Sequence, residues 1–286
     1  MGEAREDSVV DLRLDRAHSA RIYDWFLGGR TNFAADREAG AQVLAVFPSA
    51  GEAARMNRAF VHRAARHLAR EGLDQFLDIG TGIPTSPNLH ETVQEVIPSA
   101  RVVYTDNDPI VLAHAAALLR GRPEGRTAYV EADVTDPGSV LRAPELLATL
   151  DLRRPVALTL NALLHFITDD GRDRAHAVVE RLKAALPSGS ALVVTHGTSD
   201  FSGPAGDRIM DIYARAGTPL QLRSKAEFAR FFDGWELVEP GITLAHRWRP
   251  DAPVAPGEPG EPGEPGEEAR PTAAEAICYA GIARKP

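Results

Sequence analysis

The stretch FLDIGTGIPT, residues 76–85, decides how the whole chain is read. Phe76, Leu77 and Ile79 form a short apolar run around Asp78, and the run stops at Gly80 and Gly82, with prolines at 84 and 87. A dinucleotide fingerprint, G-x-G-x-x-G, uses its third glycine to pack the next helix close to the strand while the helix amides meet a pyrophosphate. Here Thr85 holds the third position. Pro84 and Pro87 also remove two amide donors from the segment where a pyrophosphate needs them. What remains is D-x-G-x-G, residues 78–82, a tight bend that brings bare backbone to a ligand with no phosphate to neutralise.

Outward from that bend, short apolar runs alternate with helical stretches: QFLDIG, RVVYTD, TAYVEAD, VALTLNALLHF and ALVVTHG. Alternating strands and helices imply parallel βαβ units with right-handed crossovers. Ser86-Pro87, Asp108-Pro109 and Asp136-Pro137 each offer an N-cap side chain followed by proline, whose fixed φ suits the first helical position. Upstream, residues 52–71 place Met56, Phe60, Ala64 and Leu68 at four-residue spacing. This predicts an amphipathic helix that Gly72 ends. WELVEP and ICYAGIARK read as two last strands. Between them the PGE-rich stretch has too few triplets for a collagen helix and reads as a flexible, acidic loop, residues 251–271.

The chain has 286 residues, 44% hydrophobic and 25% charged, enough to bury an ordinary core. Its net charge is −8, but residues 256–268 hold five glutamates and no base, so the remainder carries −3. That mild acidity argues against a nucleic-acid partner. One cysteine, Cys278, excludes an intramolecular disulfide, and no apolar segment approaches a membrane span, so a cytoplasmic protein with no membrane partner is expected. No G-x-S-x-G elbow, H-E-x-x-H motif or cysteine pair points to a serine hydrolase or a metal site.

The second strand ends in Asp106, 24 residues after Gly82, where a carboxylate can accept both hydroxyls of a ribose. The third ends near Asp133, and Asp108 and Asp136 read as caps. D-x-G-x-G with Asp106, Asp133 and a terminal strand pair resembles the class I S-adenosylmethionine-dependent methyltransferases over residues 75–284. The segments RIYDWFLGGRTNF, MNRAFVHRAARHLAREGLDQFLDIGTGIPT, NLHE, VVYTDNDPIVLAHAAALL and HRWRP extend the resemblance to an actinobacterial family of S-adenosyl methyltransferases of unassigned substrate.

That resemblance implies an α/β, Rossmann-like doubly wound sheet of seven strands, order 3-2-1-4-5-7-6 with the last strand antiparallel. An N-terminal helical cap (residues 1–72) would precede a methyltransferase domain (residues 73–286). It also implies S-adenosyl-L-methionine as cofactor. Asp78, Gly80, Thr81 and Gly82 would lie by its methionine part, Asp106 and Asn107 by the ribose, and Asp133 and Val134 by the adenine. Many members of the superfamily carry a third glycine where this chain has Pro84.

Ligands of open α/β sheets bind beyond the carboxyl ends of the strands at the topological switch point, which turns Asn161, at the end of VALTLN, toward the cofactor. His165 and His196 stand at neighbouring strand ends and are the candidate catalytic residues, as general base or substrate contact. Tyr23, in an aromatic segment that either lids the cofactor or packs on the sheet edge, and Arg58 with Asn57, in reach of the cofactor carboxylate, complete the candidate site. The acceptor pocket is expected from residues 200–222 and Trp248. The expected reaction is methyl transfer to an oxygen or nitrogen of a small metabolite. The alternative is a catalytically silent S-adenosylmethionine- or nucleoside-binding module, and a nicotinamide-dependent oxidoreductase is more distant.

Overall fold

A computed structural model of the protein describes residues 13–118, 121–251 and 277–286, so the first twelve residues and nearly all of the PGE-rich loop lie outside the described residues. Five strands pair in parallel: β1 (Gln75–Ile79), β2 (Arg101–Asp106), β3 (Arg126–Glu131), β4 (Ala157–Asn161) and β5 (Ala191–Gly197). Beyond them come β6 (Glu236–Leu237), β7 (Thr243–Leu244) and β8 (Cys278–Arg284). The order is β3-β2-β1-β4-β5-β8-β6, with β8 antiparallel to both neighbours and β7 also paired to it.

The doubly wound sheet with an antiparallel final strand is therefore as expected, but WELVEP does not make one full strand. Only Glu236 and Leu237 join the ladder, and a second two-residue piece pairs further along β8. Between the pieces Pro240 has no N–H to donate, and Gly241 turns back with φ +78° as its N–H meets the Val238 carbonyl. One expected strand thus becomes two, and seven strands become eight.

Strand alternation sends successive side chains to opposite faces, each face covered by its own helices. Leu77, Ile79, Leu158 and Leu192 pack with α6 (Pro137–Leu141), α7 (Pro144–Thr149), α8 (Arg174–Ala184) and α10 (Lys225–Ala229). Phe76, Val102, Tyr104 and Val193 pack with α3 (Ala50–Arg70) and α4 (Leu89–Val96). On α3, Phe60, Ala64 and Leu68 are buried as the spacing predicts, while Met56 is only half-buried; Gly72, with φ +90°, follows the helix end. Each fully buried phenylalanine or leucine contributes about 1.5–3 kcal/mol relative to exposure.

The caps follow the sequence at two of three junctions. Asp136 receives the Gly138 N–H ahead of α6, and Asp108 receives the Ile110 N–H ahead of α5 (Pro109–Leu118). Ser86 does not cap α4. The helix starts two residues past Pro87 because Glu91 reaches back to the Asn88 backbone N–H and also draws the Ser86 hydroxyl, 3.2 Å away.

The cap consists of α1 (Ser19–Phe26), α2 (Ala34–Val46) and the start of α3, sharing a core with α9 (Gly203–Arg215) through Ile22, Val43, Ala53, Ile209 and Ile212. Trp25 lies so close to Gly40 that a Cβ there would meet its ring at 2.5 Å. The aromatic segment therefore packs on other helices and not on the sheet edge. No helix among the described residues is long and apolar enough to cross a membrane.

Candidate cofactor and acceptor site

A cavity of about 230 Å³ opens over the carboxyl ends of the first four strands, beneath α1 and beside α3. Its floor is the glycine bend. The Gly80 and Thr81 amides donate to the Thr105 carbonyl at 2.8 and 3.2 Å, folding the loop over the end of β2. Gly80 and Gly82 hold φ of +74° and +67°, the left-handed region that glycine enters without strain. A Cβ at Gly80 would also meet the Leu163 side chain at 2.7 Å. Gly80 is thus favoured by both backbone and space, and Gly82 by its backbone conformation alone.

Asp106 sits at the edge of this bend, nearly buried. One carboxylate oxygen accepts the Gly82 N–H at 2.8 Å and the other the Asp108 N–H at 3.0 Å. Burial raises its pKa, and the two amides oppose that shift. Each oxygen keeps a further lone pair, so the carboxylate can still receive a pair of ribose hydroxyls. Asp108 is occupied by the fold: besides its cap it takes two hydrogen bonds from Arg21, each 2.8 Å, and His18 stands 3.4 Å away. Asn107, Ala132 and Val134 line the same end of the cavity.

At the opposite end stand Asp78, Tyr104, Asn57, Arg58 and His62. Desolvation lifts the Asp78 pKa to about 6 even though Thr159 donates a hydrogen bond to it. Arg58 donates to the carbonyls of Thr85 and Pro87, clamping the proline-containing loop against α3, and burial lowers its pKa. Tyr23 reaches in from α1, its hydroxyl donating to the Ala54 carbonyl and accepting from Asn57, and desolvation raises its pKa to about 12. Of RIYDWFLGG, it is this tyrosine that meets the cavity.

The third wall follows β4. Asn161 lies at the switch point with both amide atoms buried and without a partner in the protein. Leu163, His165 and Phe166 follow in a tight turn, and Tyr213 of α9 stands 5.8 Å from Phe166, ring to ring. Desolvation, reinforced by Arg223, pushes the His165 pKa down to about 3. The Gly197 N–H points at its Nδ1 from 3.5 Å.

Three of the residues expected at the site are not brought to the cavity. His196 pairs its Nδ1 with the Gly197 carbonyl at 2.6 Å and its Nε2 with Arg223 at 2.7 Å, and its ring packs on Phe231 and Phe228. The register explains this: Asn161 is level with Thr195, so the next residue along β5 points to the other face. Asp133 is exposed, with one oxygen closing a turn onto the amide and hydroxyl of Thr135. Trp248, expected in the acceptor pocket, is fully buried instead. It packs edge-on against Phe60 while Arg63 donates to its carbonyl and that of Ala245. Sequence reasoning passed over His62, Tyr104, Phe166 and the Arg21–Asp108 pair; for that pair, separated by 87 residues, no local signal exists.

A doubly wound sheet with its final strand antiparallel, a D-x-G-x-G bend and a carboxylate at the end of β2 together define a class I methyltransferase fold. The chain belongs to the S-adenosyl methyltransferase family, whose sequence model matches residues 5–286. S-adenosyl-L-methionine is accordingly its cofactor, and the cavity fits it: two glycines in the left-handed conformation that bring bare backbone to its floor, and a carboxylate with lone pairs for a ribose. Among solved structures, a DUF574 family protein from Streptomyces avermitilis is 49% identical with a TM-score of 0.87, covering 96% of this chain and 100% of that one. A putative methyltransferase from Thermobifida fusca is 38% identical with a TM-score of 0.82, covering 96% and 97%. No curated protein matches the chain.

Proposed function

We propose that the protein transfers the cofactor's methyl group to an oxygen or nitrogen atom of a small metabolite. The observation that carries this reading is Asn161: an amide with an unused acceptor and unused donors, set at the switch point within an aromatic wall, suits an uncharged polar acceptor. When bound, S-adenosylmethionine supplies an electrophilic methyl carbon on a sulfonium; the protein's task is alignment and exclusion of water. Asp106 holds the ribose diol, and the bend at Gly80 and Gly82 lets backbone approach the cofactor tail. Asp133, turned onto Thr135, leaves the adenine to Ala132, Val134 and Asn107. Tyr23, Phe166 and Tyr213 keep water from the reacting carbon.

His165 acts as a substrate contact. With Nδ1 turned to the Gly197 N–H, its proton sits on Nε2, which donates to the acceptor. His196 supports that wall from behind. The acceptor is a small molecule, with no membrane or nucleic acid involved, and the acidic balance of the chain supports this.

A second reading, a binding module without turnover, is favoured by one observation: neither histidine is a ready base, since both His196 nitrogens are engaged and a His165 pKa near 3 leaves its ring too weakly basic to hold a proton. Incubating the protein with labelled S-adenosylmethionine and a metabolite extract separates the two. Release of S-adenosylhomocysteine supports the enzyme. Tight binding with no release over a broad panel supports the module.

A further inference from the structure

We infer that His62 Nε2 accepts a hydrogen bond from the α-ammonium group of the cofactor's methionine end, beside Arg58 on its carboxylate. The inference rests on the cofactor assignment and adds a residue to it. Arg58 and His62 are four apart on α3, so they share one face of the helix, and both line the cavity.

The His62 ring is oriented from behind. Its Nδ1 lies 2.8 Å from the Thr92 hydroxyl oxygen, and that hydroxyl donates to the Asn88 carbonyl at 3.4 Å. The oxygen therefore receives the Nδ1 proton, which leaves Nε2 with a free lone pair. Desolvation, with Arg58 and Arg66 adding to it, brings the pKa down to about 4, so the ring is neutral at pH 7. Nε2 is buried and has no partner in the protein. A buried acceptor left unpaired is costly, and a donor on a ligand held in the cavity that the His62 side chain lines would satisfy it.

The surroundings say which ligand. Asp78, a second acceptor, lines this end of the cavity and interacts electrostatically with Arg58. A guanidinium next to two acceptors matches the carboxylate and ammonium of a zwitterionic amino acid. The adenosine end, with Ala132 and Val134, offers no such set.

The test is calorimetric binding of S-adenosylhomocysteine and of 5′-methylthioadenosine, the same nucleoside thioether without the amino-acid end. His62→Ala is expected to weaken S-adenosylhomocysteine by roughly 10–100-fold and methylthioadenosine by less than about twofold. Equal weakening of both ligands, or none, overturns the inference. If wild-type protein binds neither, the cofactor assignment fails and the inference with it. Should thermal melting show that His62→Ala does not fold, ¹⁵N-histidine NMR of the wild-type protein decides. The expected result is a shift of His62 Nε2 with S-adenosylhomocysteine and not with methylthioadenosine; no shift with either overturns the inference.

Discussion

Arg21 and Asp108, 87 residues apart in the chain, meet out of solvent through two parallel hydrogen bonds of 2.8 Å. The pair fastens α1 of the cap to the end of β2, and the Asp108 amide donates in turn to Asp106. The cap and the proposed ribose carboxylate are therefore held by one chain of hydrogen bonds.

Removing one partner of such a pair strands a buried charge. Arg21→Ala is expected to lower unfolding free energy by about 3–5 kcal/mol in urea titrations, while Arg21→Met with Asp108→Asn recovers a large part of the loss. If Arg21→Ala costs less than about 1 kcal/mol, the pair does not fasten the cap.

Asp78 makes stability depend on pH. Its folded pKa, about 6, is above the ordinary carboxylate value, so the folded state holds the proton more tightly than the unfolded chain. The stabilisation from the protonated form is fully present below about pH 4 and is lost as pH rises through about 6. The loss is on the order of 3 kcal/mol. Asp78→Asn is expected to flatten this slope relative to wild type and to raise stability at pH 7. Identical pH–stability curves for the two proteins contradict this placement of Asp78.

The histidines give a kinetic prediction. With the His165 pKa near 3 and both His196 nitrogens engaged, the pH profile of kcat/KM on a true acceptor is expected to show no imidazole limb between about pH 6 and 7. His165→Phe then changes KM more than kcat. A limb in that window that disappears in His165→Ala restores His165 as a base.

Much of the frame was readable locally. D-x-G-x-G, the strand runs and the Asp108 and Asp136 caps each depend on neighbours within a few residues, where propensity and spacing carry information. Ser86 misled because a competing signal, Asn88 with Glu91 three residues on, lies just beyond it. His196 was placed at the right strand end and on the wrong face, since a register offset of one residue against Asn161 reverses the side chain. Trp248 and Arg63 come together over 185 residues, and His62 finds Thr92 only because α3 packs on α4. Such contacts are products of the tertiary fold and leave no local pattern to read.

The central claim is that Asp106 grips a ribose diol at the end of β2. Calorimetric titration of wild-type and Asp106→Ala protein with S-adenosylhomocysteine tests it most directly. The account predicts an affinity loss of roughly 100-fold or more, two charge-assisted hydrogen bonds being removed. An unchanged affinity in Asp106→Ala, or a wild-type protein that prefers a nicotinamide dinucleotide, contradicts it.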